Sequence, residues 1–360
     1  MPRRDLSVLV VDDSAVVRQA MVAILSQAPD LLVSVAADPY FAMEKMGKAR
    51  PDVIVLDLEM PRMDGLTFLH RIMTSDPIPV VVCSGSAARG TEVAIRALEE
   101  GAVEVVGKPS LGVRDFLHDQ AQELIDIIRA AADARLIRRS GHVPSRPLVS
   151  APAPSRLALQ RSDVVIGLGA STGGPEALRT VIEAFPEDAP GTVVVQHMPP
   201  GFTAAFARRL DGLCRVKVKE IQRPEPIVTG TVLIAPGDRH LIVRATPNGL
   251  VADLRSGERV SGHIPSVDVL FRSLAEAAGG HAVAAVLTGM GADGASGLLE
   301  LRRRGAGTIA QDEATSVVWG MPKEASLNGG AEAVLPIDKI AGALLLRAKR
   351  IEAAGKRVAV

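Results

Sequence analysis

Aromatic residues make up only 2% of this 360-residue chain, and its 41 Lys and Arg are balanced by 41 Asp and Glu, giving a formal net charge of zero. The first shortage removes the rings on which bases stack, and the balance removes the basic field that phosphate backbones require, so nucleic acid is not an expected partner. Cysteine is scarce too. Cys83 closes an apolar run and Cys214 a helical pattern, neither in a metal-ligand spacing, and two such thiols suit a reducing cytosol. No apolar stretch reaches the roughly 18 residues that cross a bilayer, and the opening MPRRDLSVLVVDD enters a strand pattern without a leader cleavage site. A cytoplasmic protein with no direct membrane insertion is expected.

What is present is 47% apolar and 23% charged residues, the balance of a globular α/β chain. At roughly 100–200 residues per domain, the length predicts two. From residue 6 to residue 110 short β-branched runs (LSVLVV, LLVSVAA, VIVLD, PVVVCS, VEVVGKP) alternate with amphipathic segments. That is the pattern of βαβ units and a parallel sheet. Leu117, Ala121, Leu124, Ile128 and Ala131 then recur at helical spacing, closing a five-stranded doubly wound domain. Arg135 to Arg161 is rich in Pro, Ser and Arg, the composition of a linker. The second half restarts at DVVIGLGAS and alternates again through TVVVQH, VLIAPG, AVAAVL and GTIAQ, predicting a second, larger parallel α/β domain. KVKEIQ, HLIVR and GLVADLR look hairpin-like and are expected to extend that sheet in antiparallel fashion. The expected division is 1–125, a helix end and linker over 126–161, and 162–355.

Ligands of open parallel sheets bind beyond the carboxyl ends of the strands, and in the first half those ends carry Asp12, Asp13, Asp57, Ser84 and Lys108. Helix capping would explain each aspartate singly but not the set. Clustered carboxylates repel unless a cation shares them, and hard oxygen donors of this kind suit Mg²⁺. Magnesium-assisted phosphoryl transfer to Asp57 follows, with Ser84 placed for a phosphoryl oxygen and Lys108 for its charge. DD at 12–13, DLEMPRMDG at 57–65, the hydroxyl at 84 and KP at 108–109 resemble the response-regulator receiver family. That resemblance implies phosphorylation on Asp57, the backbone carbonyl of Glu59 as a further Mg²⁺ ligand, and a histidine kinase as phosphodonor. One departure is Val105, which stands where receivers often carry an aromatic switch residue.

In the second half Gly-Ala-Ser-Thr-Gly at 169–173 is a G-x-S-x-G at a strand-to-helix turn, making Ser171 the nucleophile candidate. GLGASTGG also reads as a dinucleotide-binding glycine loop. The following strand, however, ends in Gln196-His197 rather than in the acidic residue such a loop needs. A serine hydroxyl needs a base. Of the histidines outside the first domain and linker (His197, His240, His263 and His281), His197 directly follows TVVVQ, the sequential neighbour of the strand before Ser171. Asp293 in GMGADG, just past AVAAVL, is the candidate anion for its far nitrogen. The glycines there let backbone N–H groups, Met290 foremost, approach an oxyanion.

The order Ser, His, Asp differs from that of the α/β-hydrolases, so a different fold is implied. GASTGGP at 169–175, QHMPPGFT at 196–203, APGD at 235–238, PSVDVLF at 265–271, LTGMGADG at 287–294 and GMPKEA at 320–325 resemble the catalytic domain of the chemotaxis protein-glutamate methylesterases. By that resemblance Ser171, His197 and Asp293 form a triad, with Thr172 and Met290 beside the nucleophile and the oxyanion. It implies γ-methyl esters of methyl-accepting chemotaxis receptors as substrate, deamidation of receptor glutamines, a chemotaxis histidine kinase as partner, and no cofactor in the hydrolase half. It also implies that the receiver covers the serine site until Asp57 is phosphorylated.

Overall fold

A computed structural model describes residues 4–85, 88–108, 116–134, 162 and 164–358; most of the expected linker (135–161) and Pro109 lie outside them. The chain divides into two compact units, with the described residues up to 134 in the first and most of those from 162 onward in the second.

The first unit alternates strand and helix throughout: β1 (Leu6–Val11), α1 (Ala15–Leu25), β2 (Leu31–Ala36), α2 (Pro39–Lys48), β3 (Val53–Asp57), α3 (Gly65–Ser75), β4 (Val80–Ser84), α4 (Ala88–Glu99), β5 (Glu104–Gly107) and α5 (Phe116–Ala132). The five strands pair in parallel in the order β2-β1-β3-β4-β5. VIVLD and VVVCS are buried at every position, as they must be when helices cover both faces of a parallel sheet. Ser14, Asp38 and Asp64 cap α1, α2 and α3 by accepting backbone N–H groups of the first turn.

The second unit comprises β6 (Val165–Ala170), α6 (Gly174–Glu183), β7 (Thr192–Gln196), α7 (Phe202–Leu213), β8 (Lys217–Glu220), β9 (Glu225–Pro226), β10 (Thr231–Ile234), β11 (His240–Thr246), β12 (Gly249–Arg255), α8 (Val267–Ala277), β13 (Ala282–Val286), α9 (Ala295–Arg303), β14 (Gly307–Gln311), α10 (Met321–Leu327), β15 (Ala333–Leu335) and α11 (Ile337–Val358). Seven strands form one parallel sheet, ordered β15-β14-β13-β6-β7-β10-β8. Two doubly wound α/β domains are thus present, as the alternation predicts.

The antiparallel extension is not. KVKE joins the main sheet as its parallel edge strand β8, whereas β11, β12 and β9 make a separate three-stranded antiparallel sheet. β10 already has β7 on one side and β8 on the other, so the hairpin has no free edge there. It packs instead on α8: Leu241 and Val243 join Leu270, Phe271 and Leu274 in one buried cluster, and Val243 N–H donates to Ser273 Oγ at 3.0 Å. Beyond GTIAQ, where the pattern suggests nothing, the chain adds α10, β15 and the long α11, which buries Ile340, Leu344 and Ala348.

Candidate active site

Three strands deliver residues to one edge of the second sheet. β6 runs directly into Ser171, β7 directly into His197, and β13 into the loop bearing Asp293. The order β13-β6-β7 makes them immediate parallel neighbours. Chain order reverses at β6, and such a switch point leaves a crevice beyond the strand ends. His197 N–H donates to Ala170 O at 3.1 Å. The fully buried Gln196 donates its amide nitrogen to Ser171 O at 3.0 Å and to His197 O at 2.9 Å, tying the two turns together.

The glycines around Ser171 serve packing. A Cβ on Gly167 would meet Leu274 Cδ2 at 2.8 Å, and one on Gly169 would meet Val267 Cγ1 at 2.2 Å, so α8 sits directly on β6. A dinucleotide loop needs open backbone to approach a pyrophosphate, and here helix side chains fill that space.

Asp293 is the most densely bonded side chain of the site. Its Oδ1 accepts from Ser266 Oγ (2.8 Å) and Asp268 N (3.0 Å), its Oδ2 from Val267 N (2.7 Å) and His197 Nε2 (2.9 Å). Three of these donors belong to the N-terminus of α8, whose orphan N–H groups and positive dipole end suit a carboxylate. Burial pushes Asp293 up, but His197, the Asp268 N–H and the Ser266 hydroxyl outweigh it and hold its carboxyl below the usual carboxylate range. An ionised carboxylate on Nε2 fixes the imidazole proton there, leaving Nδ1 as the lone-pair nitrogen. Nδ1 is buried and has no partner among the described residues. Ser171 Oγ makes no hydrogen bond among the described residues, so the expected row is closed at its imidazole–carboxylate link only.

Two other candidate histidines also arrive here. His263 stacks on the His197 ring, and His240 accepts the Ser266 N–H on Nδ1 at 3.1 Å while its Nε2–H donates to Glu258 O at 2.9 Å. His281, in the turn before β13, is exposed.

The loop after β13 is braced against Ser171. Ser171 N–H is consumed by Thr288 O at 3.0 Å, so it is not an oxyanion donor. The N–H groups of Thr172 and Met290 make no hydrogen bond among the described residues. A Cβ on Gly289 would lie 2.7 Å from Ser171 Cβ and 2.4 Å from Met321 Sδ. Gly320 N and Met321 N both donate to Gly289 O, at 3.0 and 2.8 Å, and Val318 N donates to Thr288 Oγ1 at 3.0 Å. The GMPKEA segment is therefore the prop of this loop.

In the first unit Asp12 follows β1, Asp57 ends β3, Ser84 ends β4 and Lys108 follows β5, all at the carboxyl edge. Asp12, Asp57 and Ser84 are each 1% exposed. Lys108 Nζ lies 2.7 Å from Asp57 Oδ2 and 3.2 Å from Asp12 Oδ2, yet both oxygens lack a well-directed hydrogen bond among the described residues, so these contacts are ion pairs. Burial pushes Asp57 up, and Asp12 adds to it, against the pull of Lys108. Burial pulls Lys108 down, but Asp57 and Asp12 more than restore its charge. Carboxylate oxygens of Asp12, Asp13 and Asp57 lie within 4.8 Å of one another. Two orphaned buried oxygens in such a cluster fit a divalent cation. Val105 is buried inside β5, so the first unit has no aromatic ring at that position.

Residues 8–118 match the response regulator receiver domain family, and residues 166–344 match the CheB methylesterase family. A protein-glutamate methylesterase/protein-glutamine glutaminase of Anaeromyxobacter dehalogenans is 56% identical over 348 residues, covering 95% of this chain and 99% of that one. This chain belongs to the CheB methylesterase family. A relative of the same name from Geobacter metallireducens is 50% identical over 350 residues, covering 95% and 99%. The crystal structure of the Thermotoga maritima CheB methylesterase catalytic domain is 39% identical, with a TM-score of 0.50, over 52% of this chain and 98% of that one.

Against this family background, Gln196, His240, His263, Ser266 and Thr288 are the site residues that sequence reasoning did not assign a role. Ser266 carries the clearest signal, since P-S-V-D ahead of an apolar helical run is an N-cap signature. The others depend on partners 18 or more residues away, except Gln196, whose place beside His197 marks only proximity.

Proposed function

We propose that this chain hydrolyses glutamate γ-methyl esters on methyl-accepting chemotaxis receptors, releasing methanol, and deamidates receptor glutamines by the same route. In this reading it serves sensory adaptation in the cytoplasm, with residues 1–125 as receiver, 126–161 as connector and 162–355 as esterase. The observation that carries it is the His197 Nε2–Asp293 pair, 2.9 Å apart, with the other imidazole nitrogen lacking a partner among the described residues, just past the end of β7, which pairs with the strand leading into Ser171.

In the mechanism His197 Nδ1 takes the Ser171 hydroxyl proton as Oγ attacks the ester carbonyl. The N–H groups of Thr172 and Met290 receive the developing oxyanion. Collapse returns the proton from His197 to the leaving oxygen, and methanol departs. Water, deprotonated by the same nitrogen, then cleaves the glutamyl ester of Ser171. A glutamine substrate releases ammonia at the first step instead. Asp293 stays ionised throughout and offsets the imidazolium charge.

In the receiver half Asp57 is the phosphoacceptor, and a chemotaxis histidine kinase is the donor. Mg²⁺, held by Asp12, Asp13, Asp57 and the Glu59 carbonyl, would neutralise charge on the transferring group. Lys108 pairs with the phosphoryl oxygens and Ser84 hydrogen-bonds one of them. Unphosphorylated, the receiver restrains the esterase; phosphorylation relieves the restraint.

The test is to incubate the purified protein with methylated receptor, with and without a small phosphodonor and Mg²⁺, and measure methanol. Release is expected in both cases and faster with phosphodonor, and Ser171→Ala should abolish it. A protein that releases no methanol and resists labelling by a serine-directed phosphonate would instead be a phosphorylation-gated binding module.

A further inference from the structure

The face of His197 is covered by a second imidazole that the chemistry above does not use. His263 lies parallel to it, with ring centroids 3.8 Å apart and planes 14° apart. Its backbone is held on both sides. Val260 and His263 exchange two N–H to carbonyl hydrogen bonds of 3.0 Å across a two-residue turn. Ser261 (φ 54°) and Gly262 (φ 81°) occupy that turn, both left-handed as a type I′ turn demands. Arg259 Nη1 donates to Gly262 O at 2.9 Å and braces the turn from outside. Three residues after His263, Ser266 begins the cluster of donors on Asp293. One short stretch therefore fixes both the carboxylate at the edge of the His197 ring and the ring on its face.

Only one of the two imidazoles can act as base. Asp293 bonds His197 and not His263, and the His263 ring makes no hydrogen bond among the described residues. Burial lowers the His263 pKa to about 3; the His197 and Arg259 charges push the same way and Asp293 opposes them. A neutral ring on one face of a ring that gains and loses a proton is an aromatic support whose π cloud favours the imidazolium.

We propose that His263 is a positioning residue of the esterase reaction: a neutral, turn-anchored ring that holds the plane of His197, so that Nδ1 stays directed for proton transfer, and steadies the imidazolium. This rests on the reading of His197 as the general base. The role belongs to the flat ring, not to its nitrogens, so an aromatic hydrocarbon should replace it and an aliphatic group of similar bulk should not.

The experiment compares His263→Phe, His263→Leu and His197→Gln in the full chain, after thermal melts confirm folding, by methanol release from methylated receptor. His263→Leu should lower kcat about ten-fold with KM little changed, and His263→Phe should recover to within about three-fold of the parent. The acid limb of the His263→Phe profile should follow the parent, because the ring it replaces carries no charge there. Equal kcat for parent, Phe and Leu variants would overturn the inference, as would a Phe variant no better than Leu. His197→Gln separates the two readings: if it retains activity, the base assignment itself fails, whereas loss there with an unaffected His263→Leu sinks the stacking role alone.

Discussion

Asp57 and Asp293 are both 1% exposed carboxylates at the carboxyl edge of a parallel sheet, and their surroundings are opposites. Among the described residues Asp57 has a single backbone donor, Glu59 N at 3.2 Å on Oδ1, and a lysine beside an Oδ2 that lacks a directed hydrogen bond. Asp293 has every lone-pair direction occupied by four donors, three of them from one helix end. Burial wins at Asp57, whose pKa rises; hydrogen bonds win at Asp293, whose pKa falls. Under the proposed roles, a carboxylate that is to accept a phosphoryl group keeps an oxygen free of directed hydrogen bonds, and one that orients a neighbour is saturated.

The sharpest way to break the contrast is to exchange each carboxylate for its amide. Asp293→Asn should cost about 10³–10⁴-fold in kcat, by loss of the correct imidazole tautomer, while phosphorylation of Asp57 from a small phosphodonor is unaffected. Asp57→Asn should do the reverse, leaving basal methanol release unchanged and abolishing its stimulation. An Asp57→Asn protein that a phosphodonor still stimulates would end the assignment of Asp57.

Ser266→Ala gives the smallest effect and tests saturation itself. It removes one of the two donors on Asp293 Oδ1 and the N-cap of α8, and should lower stability at pH 7 by about 1–2 kcal/mol in urea unfolding. The sign with pH follows from the depressed Asp293 pKa. A carboxylate with a folded pKa below its unfolded value contributes stability above the latter and loses it as pH falls through the former. The Ser266→Ala deficit should therefore be widest above about pH 4 and narrow in acid, leaving the capping part. A deficit independent of pH would mean that the hydroxyl caps the helix without acting on Asp293.

Much of the site was legible because apolar strands in parallel sheets announce their own ends. Asp57, Ser171 and His197 sit at such ends, and Asp293 follows one within a glycine loop. The hairpin β11-β12 was misplaced because local alternation says that strands pair, not which sheet they join. The support around Asp293 was illegible for a similar reason. His240 meets Ser266 across 26 residues, and the His263 stack depends on a left-handed serine that no spacing rule marks. Gln196 illustrates the limit, since one buried amide that binds two carbonyls looks in the sequence like an ordinary polar residue at a strand end.

Gly289 contributes no functional group, yet its α-carbon hydrogen faces Ser171 Cβ and the Met321 sulfur in a space that no methyl can enter. In a saturation library scored by esterase output, this codon would tolerate nothing and would rank with that of Ser171. Inactivity at a position therefore need not mean that a side chain reacts there; here it would record only the volume reserved for a neighbour.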